Sequence, residues 1–138
     1  MDKELKQLKN FGFTILKTKN LSLLKKVRDE YLNIASSIGI NGHLKNLEKI
    51  EEKKINRLNM EFNKNSKKCN FYLINSFSHK IKKVLGKKIF IQRQPYLRAK
   101  KYNLNSTATI AHNDYDFGHS HLGFNLWTPL YDIENNEG

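Results

Sequence analysis

The chain holds one cysteine, Cys69, among 138 residues, so no intrachain disulfide can form and a reducing compartment, the cytoplasm, is expected. An inert thiol is the expected role of Cys69. No apolar run approaches the length of about 18 residues that a membrane-spanning helix needs, and the opening Met1–Asn10, charged throughout, lacks the apolar centre of a secretory signal. There is no Gly-rich phosphate loop, no Gly-x-Ser-x-Gly elbow and no cysteine pair at zinc spacing, which removes the commonest nucleotide, hydrolase and zinc-finger signatures. Neither an internal repeat nor a low-complexity tract is present beyond a Lys/Asn bias. Lys and Arg are missing altogether from 110–138.

That last absence divides the chain electrically. Residues 1–109 carry all 25 Lys and Arg against 8 acids, a balance of +17, while 110–138 carry 5 acids and a balance of −5. An excess of this size can attract nucleic acid by counterion release. Yet 21 of the 25 are scattered lysines, and only Arg28, Arg57, Arg93 and Arg98 offer the planar fork suited to phosphates and base edges. A solvated lysine surface is the expectation. A basic, non-enzymatic module binding nucleic acid or another polyanion is the alternative.

One domain is expected over 1–138, mainly helical over 1–86 and strand-forming over 87–138. Phe11–Leu16 reads as a short strand with Phe11, Phe13 and Ile15 on one face. Asn20 or Ser22 caps a helix in which Leu24, Val27, Tyr31, Ile34 and Ile38 form one apolar stripe, and Gly39 ends it. His43–Phe62 is helix-prone but charged. Its thin stripe of Leu44, Leu47, Ile55, Leu58 and Phe62 predicts a surface helix, followed by a polar connector over Asn63–Asn70. A further helix spans Phe71–Leu85 and stops at Gly86, with Lys82, Lys83, Lys87 and Lys88 at the negative end of its dipole. His43 and His79 read as ordinary exposed histidines. Strands are expected over Ile89–Gln94, extended to Arg98 past an edge or bulge at Pro95, then over Ser106–His112 and Leu122–Leu130.

The chemistry is concentrated between Ala111 and Gly123. Three of the five histidines and two carboxylates fall within His112–His121. On a strand, His112 and Asp114 project from one face with Cα atoms roughly 6.6 Å apart. From that separation an imidazole and a carboxylate can converge on one ion through bonds of about 2.0–2.2 Å. They make two arms of a chelate, and one more histidine completes a 2-His-1-carboxylate face open to co-substrate and oxygen. His119 or His121, folding back, is one source of a third ligand, and a loop at the mouth of a site is the favoured reading of both. A cupin pattern around His119-Ser-His121 lacks its glutamate, with Asn125 in that region. Asp114 and Asp116 as an acid/base pair lack a neighbouring cation.

The order His112-Asn-Asp114, a short Gly-containing loop, then Asn125-Leu-Trp-Thr-Pro-Leu-Tyr-Asp-Ile133 resembles the iron- and 2-oxoglutarate-dependent oxygenases of the phytanoyl-CoA dioxygenase-like group. It is most similar to the branch encoded in sporadic carbohydrate-biosynthesis clusters. Ile89–Arg98 resembles the strand that precedes His-x-Asp there, and Phe11–Leu16 with its following Leu-rich helix resembles their opening.

The resemblance implies an α+β fold in which N-terminal helices pack on a double-stranded β-helix, a jelly-roll or cupin-like barrel. It implies Fe(II) held by His112 and Asp114, with 2-oxoglutarate as co-substrate in a pocket lined by Asn125 and Trp127 and approached by Gln92. The reaction implied is hydroxylation of a small metabolite coupled to oxidative decarboxylation of 2-oxoglutarate. A sugar or sugar-linked compound is one candidate substrate. In the family a second histidine ligand and an Arg or Lys for the co-substrate follow tens of residues after His-x-Asp, whereas 24 residues follow Asp114 here and none is basic. A barrel of about eight strands also exceeds the room available. The expectation is therefore an incomplete barrel, the N-terminal portion of an oxygenase, whose missing C-terminal half supplies the rest of the site.

Overall fold

The computed structural model describes residues 2–18, 20–41, 44–92, 95–99 and 123–131. They form four α-helices: α1 (Lys3–Phe11), α2 (Leu21–Ser37), α3 (Glu52–Asn65) and α4 (Lys67–Leu85), with a 3-10 helix over Leu44–Lys49.

Asp2 starts α1 by accepting a hydrogen bond from the Glu4 N–H at 3.3 Å through Oδ1. Gly12 ends it in a left-handed conformation (φ 75°), its N–H bonded to the Leu8 carbonyl at 2.9 Å. Two ion pairs, Glu4 with Lys80 and Asp2 with Lys83, join this helix to α4. Asn20 stands at the start of α2, although its side chain caps no backbone N–H and instead accepts from the Ser22 hydroxyl at 2.8 Å. Beyond Ile38, Gly39 turns the chain with φ 77°, and Gly86 does the same after α4 at φ 97°. A side chain at either glycine would strain that backbone.

Helix α2 packs chiefly on α4 and also on α3, and α1 lies on α4. Their shared core contains Val27, Tyr31 and Ala35 of α2, Ile40 beyond it, Leu58 and Phe62 of α3, and Cys69 of α4. Tyr31 and Phe62 meet edge to face with ring centroids 6.1 Å apart, a favoured aromatic geometry. Ile55, Phe77 and Ile81 are buried as well. Helix α3 is thus a core element rather than the surface helix expected from its charge. Its apolar residues at 55, 58 and 62 share one face, all three are buried, and Leu58 and Phe62 join the core with Val27, Tyr31 and Ala35 of α2.

The chain between α3 and α4 also differs from the polar connector expected over Asn63–Asn70. Helix continues to Asn65 and resumes at Lys67, so Ser66 alone forms the joint. Its N–H reaches the Phe62 carbonyl and its own carbonyl receives the Cys69 N–H, both at 2.9 Å. One buried residue closes one helix and opens the next.

The expected α+β fold, helices on a jelly-roll or β-helix barrel, is corrected: the described residues are helical and contain no β-strand. Phe11 belongs to α1, and 13–18 has no regular secondary structure and no ladder partner among the described residues. The described parts of the strands expected over 89–98 and 122–130 likewise have no regular secondary structure and pair in no sheet. Ser106–His112 lies outside the described residues.

The reason is visible at residues 95–99. There the ladder is replaced by side chains of α3. The Leu97 N–H donates to Asn63 Oδ1 at 2.7 Å, the Ala99 N–H donates to Asn59 Oδ1 at 2.9 Å, and Asn59 Nδ2 donates to the Ala99 carbonyl at 3.1 Å. Pro95 and Ala99 are buried, Leu97 packs against the helical core, and Tyr96 and Arg98 point outward. The period of two is that of a strand, but its neighbour is a helix.

Candidate functional site

The two proposed metal ligands, His112 and Asp114, lie outside the described residues, as do Asp116, His119 and His121. The described segments nearest them are 95–99 and 123–131. Among the described residues no group of three or more His, Cys, Asp or Glu side chains could hold a metal ion. As chemistry, an imidazole and a carboxylate are donor types that suit iron, and a 2-His-1-carboxylate set needs a second imidazole beside them.

The proposed co-substrate residues are described. Gln92 is exposed, and its carbonyl accepts a hydrogen bond from Asn70 Nδ2 on α4, so its backbone is tied to the helical layer. Asn125 is exposed and Trp127 retains 75% of its accessible surface. Phe90, Tyr96 and Phe124 are exposed as well, so both extended segments present aromatic rings outward. His79 is exposed on α4, as expected of an ordinary surface histidine.

Two clefts are formed by the helices with the 123–131 segment. One, of about 420 Å³, lies between α1 and the end of α4 and is bordered by Leu5, Leu8, Val84, Leu85 and Phe124. The other, of about 450 Å³, lies between the first half of α2 and Pro129–Tyr131. Gln92, Asn125 and Trp127 line neither. In the second cleft the Arg28 guanidinium sits 4.4 Å from the centre of the Tyr131 ring, a cation–π contact. This pair joins residues from opposite ends of the sequence, and periodicity carries no signal for it. What could be read from the sequence was the presence of Arg28 as one of four arginines.

Charge and burial tune several groups. The Asp2 carboxyl is held well below the ordinary carboxylate range, first by its hydrogen bond with Glu4 and then by Lys83. Lys83 is correspondingly raised by Asp2. Burial pushes the Cys69 thiol up to about 11, helped by the negative charge of Glu30 and opposed by the Ser66 hydroxyl. Burial also raises the Tyr31 phenol, with Tyr131 adding to the effect. Cys69 is therefore a protonated, 1%-exposed core residue, unsuited to nucleophilic or metal chemistry.

No protein-family model, curated protein or solved structure matches this chain. Among the described residues no helix is long and apolar enough to cross a membrane.

Proposed function

We propose that this chain carries part of the site of an Fe(II)- and 2-oxoglutarate-dependent dioxygenase acting on a small metabolite, with a sugar or sugar-linked compound as the candidate substrate. The observation that carries the reading is the ordered run His112-x-Asp114, a Gly-containing loop, and Asn125 to Ile133.

In this proposal His112 and Asp114 hold the ion, one through a ring nitrogen and one through a carboxylate oxygen. Two protein donors grip a metal weakly, so a further histidine is required, together with a cation for the far carboxylate of the co-substrate. Asn125, Trp127 and Gln92 are the residues proposed to bind that co-substrate. Iron with 2-oxoglutarate, when bound, supplies the oxidising chemistry for C–H hydroxylation. The protein's contribution is to hold the donors, exclude water and orient the C–H bond. The helical layer serves this by anchoring the chain that leads to His112, through Asn70 at Gln92 and through Asn63 and Asn59 at Leu97 and Ala99.

Co(II), an air-stable stand-in for Fe(II), tests the ligand assignment by calorimetric titration of the full chain. Saturable binding of about one ion is expected, weakened at least about tenfold in His112→Ala and in Asp114→Ala, as loss of a ligand in a small donor set requires. Unchanged binding in either variant removes that residue from the site.

A second reading, polyanion binding, is supported by the exposed lysines of all four helices, Lys53, Lys54, Lys67, Lys68 and Lys82 among them. It predicts retention on a polyanion matrix with steep release by salt, and it is indifferent to His112→Ala.

A further inference from the structure

We infer that the cleft between α2 and Pro129–Tyr131 binds a small phosphate ester, with Lys25 and Arg28 receiving the phosphoryl group. Leu21, Leu24, Lys25 and Arg28 stand at i, i+3, i+4 and i+7, one face of the helix, and all four line the cleft. That face turns from apolar to cationic within two turns. Leu130 adds apolar surface opposite, and the cleft of about 450 Å³ has room for a small ring beside a phosphoryl group.

The cations are uncommitted. Among the described residues neither Lys25 nor Arg28 forms an ion pair, although Asp29 lies one turn beyond Lys25. Arg28 is half-buried, and its guanidinium carbon lies over the Tyr131 ring, 4.4 Å from the ring centre, which holds the head group at the cleft. The planar guanidinium carries its N–H donors as a fork suited to a two-pronged contact with oxygen anions. Two adjacent positive charges match the charge of a phosphate monoester, about −1.5 to −2 at neutral pH, better than the single charge of a carboxylate. The apolar half of the face then favours an ester with a carbon ring over inorganic phosphate.

This inference does not rest on the iron-site reading. It involves neither His112 nor Asp114, and its test is performed without metal.

The experiment is a calorimetric or NMR titration of the full chain with phenyl phosphate, benzoate and inorganic phosphate. Phenyl phosphate is expected to bind saturably at one site, more tightly than either of the others. Arg28→Gln should weaken it at least about tenfold, the scale of a lost charged hydrogen bond, and Lys25→Gln by a smaller factor. Tyr131→Leu should weaken it while leaving the charge intact. Lys53→Gln, which removes an exposed charge on α3, should leave the affinity unchanged. Far-UV circular dichroism of each variant checks folding, and Arg28→Lys, which keeps the charge and loses the fork, replaces Arg28→Gln if the latter unfolds.

Several results would overturn the assignment. These are absence of saturation at about 10 mM, a millimolar limit that marks negligible affinity, or equal binding of benzoate. Equal losses in Lys53→Gln and Arg28→Gln, or complete displacement by a short oligonucleotide at lower concentration, would reduce the cleft to part of a general polyanion surface.

Discussion

Asn59 makes both hydrogen bonds that a neighbouring β-strand would make to Ala99, accepting from its N–H at 2.9 Å and donating to its carbonyl at 3.1 Å. Asn63, one helical turn later, accepts from the Leu97 N–H at 2.7 Å. The match is geometric: four residues of helix rise about 6 Å, and two residues of extended chain span roughly 6.6 Å. The segment runs antiparallel to α3, with the later helix residue bonded to the earlier segment residue.

Removing the Asn59 side chain should therefore leave two backbone groups of a buried residue without partners. Asn59→Ala is expected to destabilise the fold by about 1–3 kcal/mol, and Asn59→Asp, which keeps the acceptor but loses the donor, by less. Urea denaturation measures both. Hydrogen exchange should locate the loss at the amides of Ala99 and Leu97, and uniform exchange across 95–99 in the parent protein would contradict the clamp.

Leu58 is 0% exposed within the contact of α3 with its neighbours. Leu58→Ala should cost about 2–5 kcal/mol in a denaturant titration, the range for a buried leucine truncated to alanine. Were α3 a surface helix, the same change would stay within about 0.5 kcal/mol, so the measurement separates the two placements cleanly.

The attachment of α1 to α4 should depend on pH at both ends of the scale. The folded-state pKa of Asp2 lies below its unfolded value, so its contribution is complete above the ordinary aspartate value and is lost as pH falls through and below it. Lys83 is shifted upward, so its contribution is complete below the ordinary lysine value and is lost as pH rises beyond it. Protection of the Lys3–Phe11 amides, taken relative to intrinsic exchange at each pH, should fall in acid and in strong base, and Asp2→Asn should flatten the acid limb. An acid limb that persists in Asp2→Asn assigns the effect to other carboxylates.

Cys69 should resist alkylation in the native protein at pH 8 and react fully in denaturant. Its thiol is 1% exposed and titrates near 11, so the thiolate is scarce as well as covered. Because the neutral form is favoured in the fold, the contribution to stability is present below the ordinary thiol value and is lost as pH rises toward 11. Rapid labelling of the folded chain by iodoacetamide would contradict this placement.

Much of the helical layer is legible in local pattern. The apolar stripe through Val27 and Tyr31, the stops at Gly39 and Gly86, and the run from Phe71 to Leu85 all follow from spacing and backbone preference. Less legible is α1. Phe11–Leu16 has strand-like residues, and the helix before it is secured by ion pairs to Lys80 and Lys83, which local sequence cannot reveal. The thin stripe of α3 concealed its burial because a few apolar residues on one face suffice once Leu58 and Phe62 meet the core residues of α2. For the candidate site, the grouping of His112 with Asp114 is a matter of spacing. Neither residue lies in the described part, and the fold adds exposed positions for Gln92, Asn125 and Trp127.

Sequence by itself determined the charge division, the unpaired cysteine and the periodic faces of the main helices, because each depends on composition or on neighbours within one or two turns. Tertiary structure decided which of those faces became core and what partnered the extended segments. Residues 95–99 have the alternation of a strand, yet a backbone N–H is satisfied by whichever acceptor lies at the right distance. Here those acceptors are Asn59 and Asn63 of a helix some 40 residues earlier in the chain, a juxtaposition that no local pattern encodes.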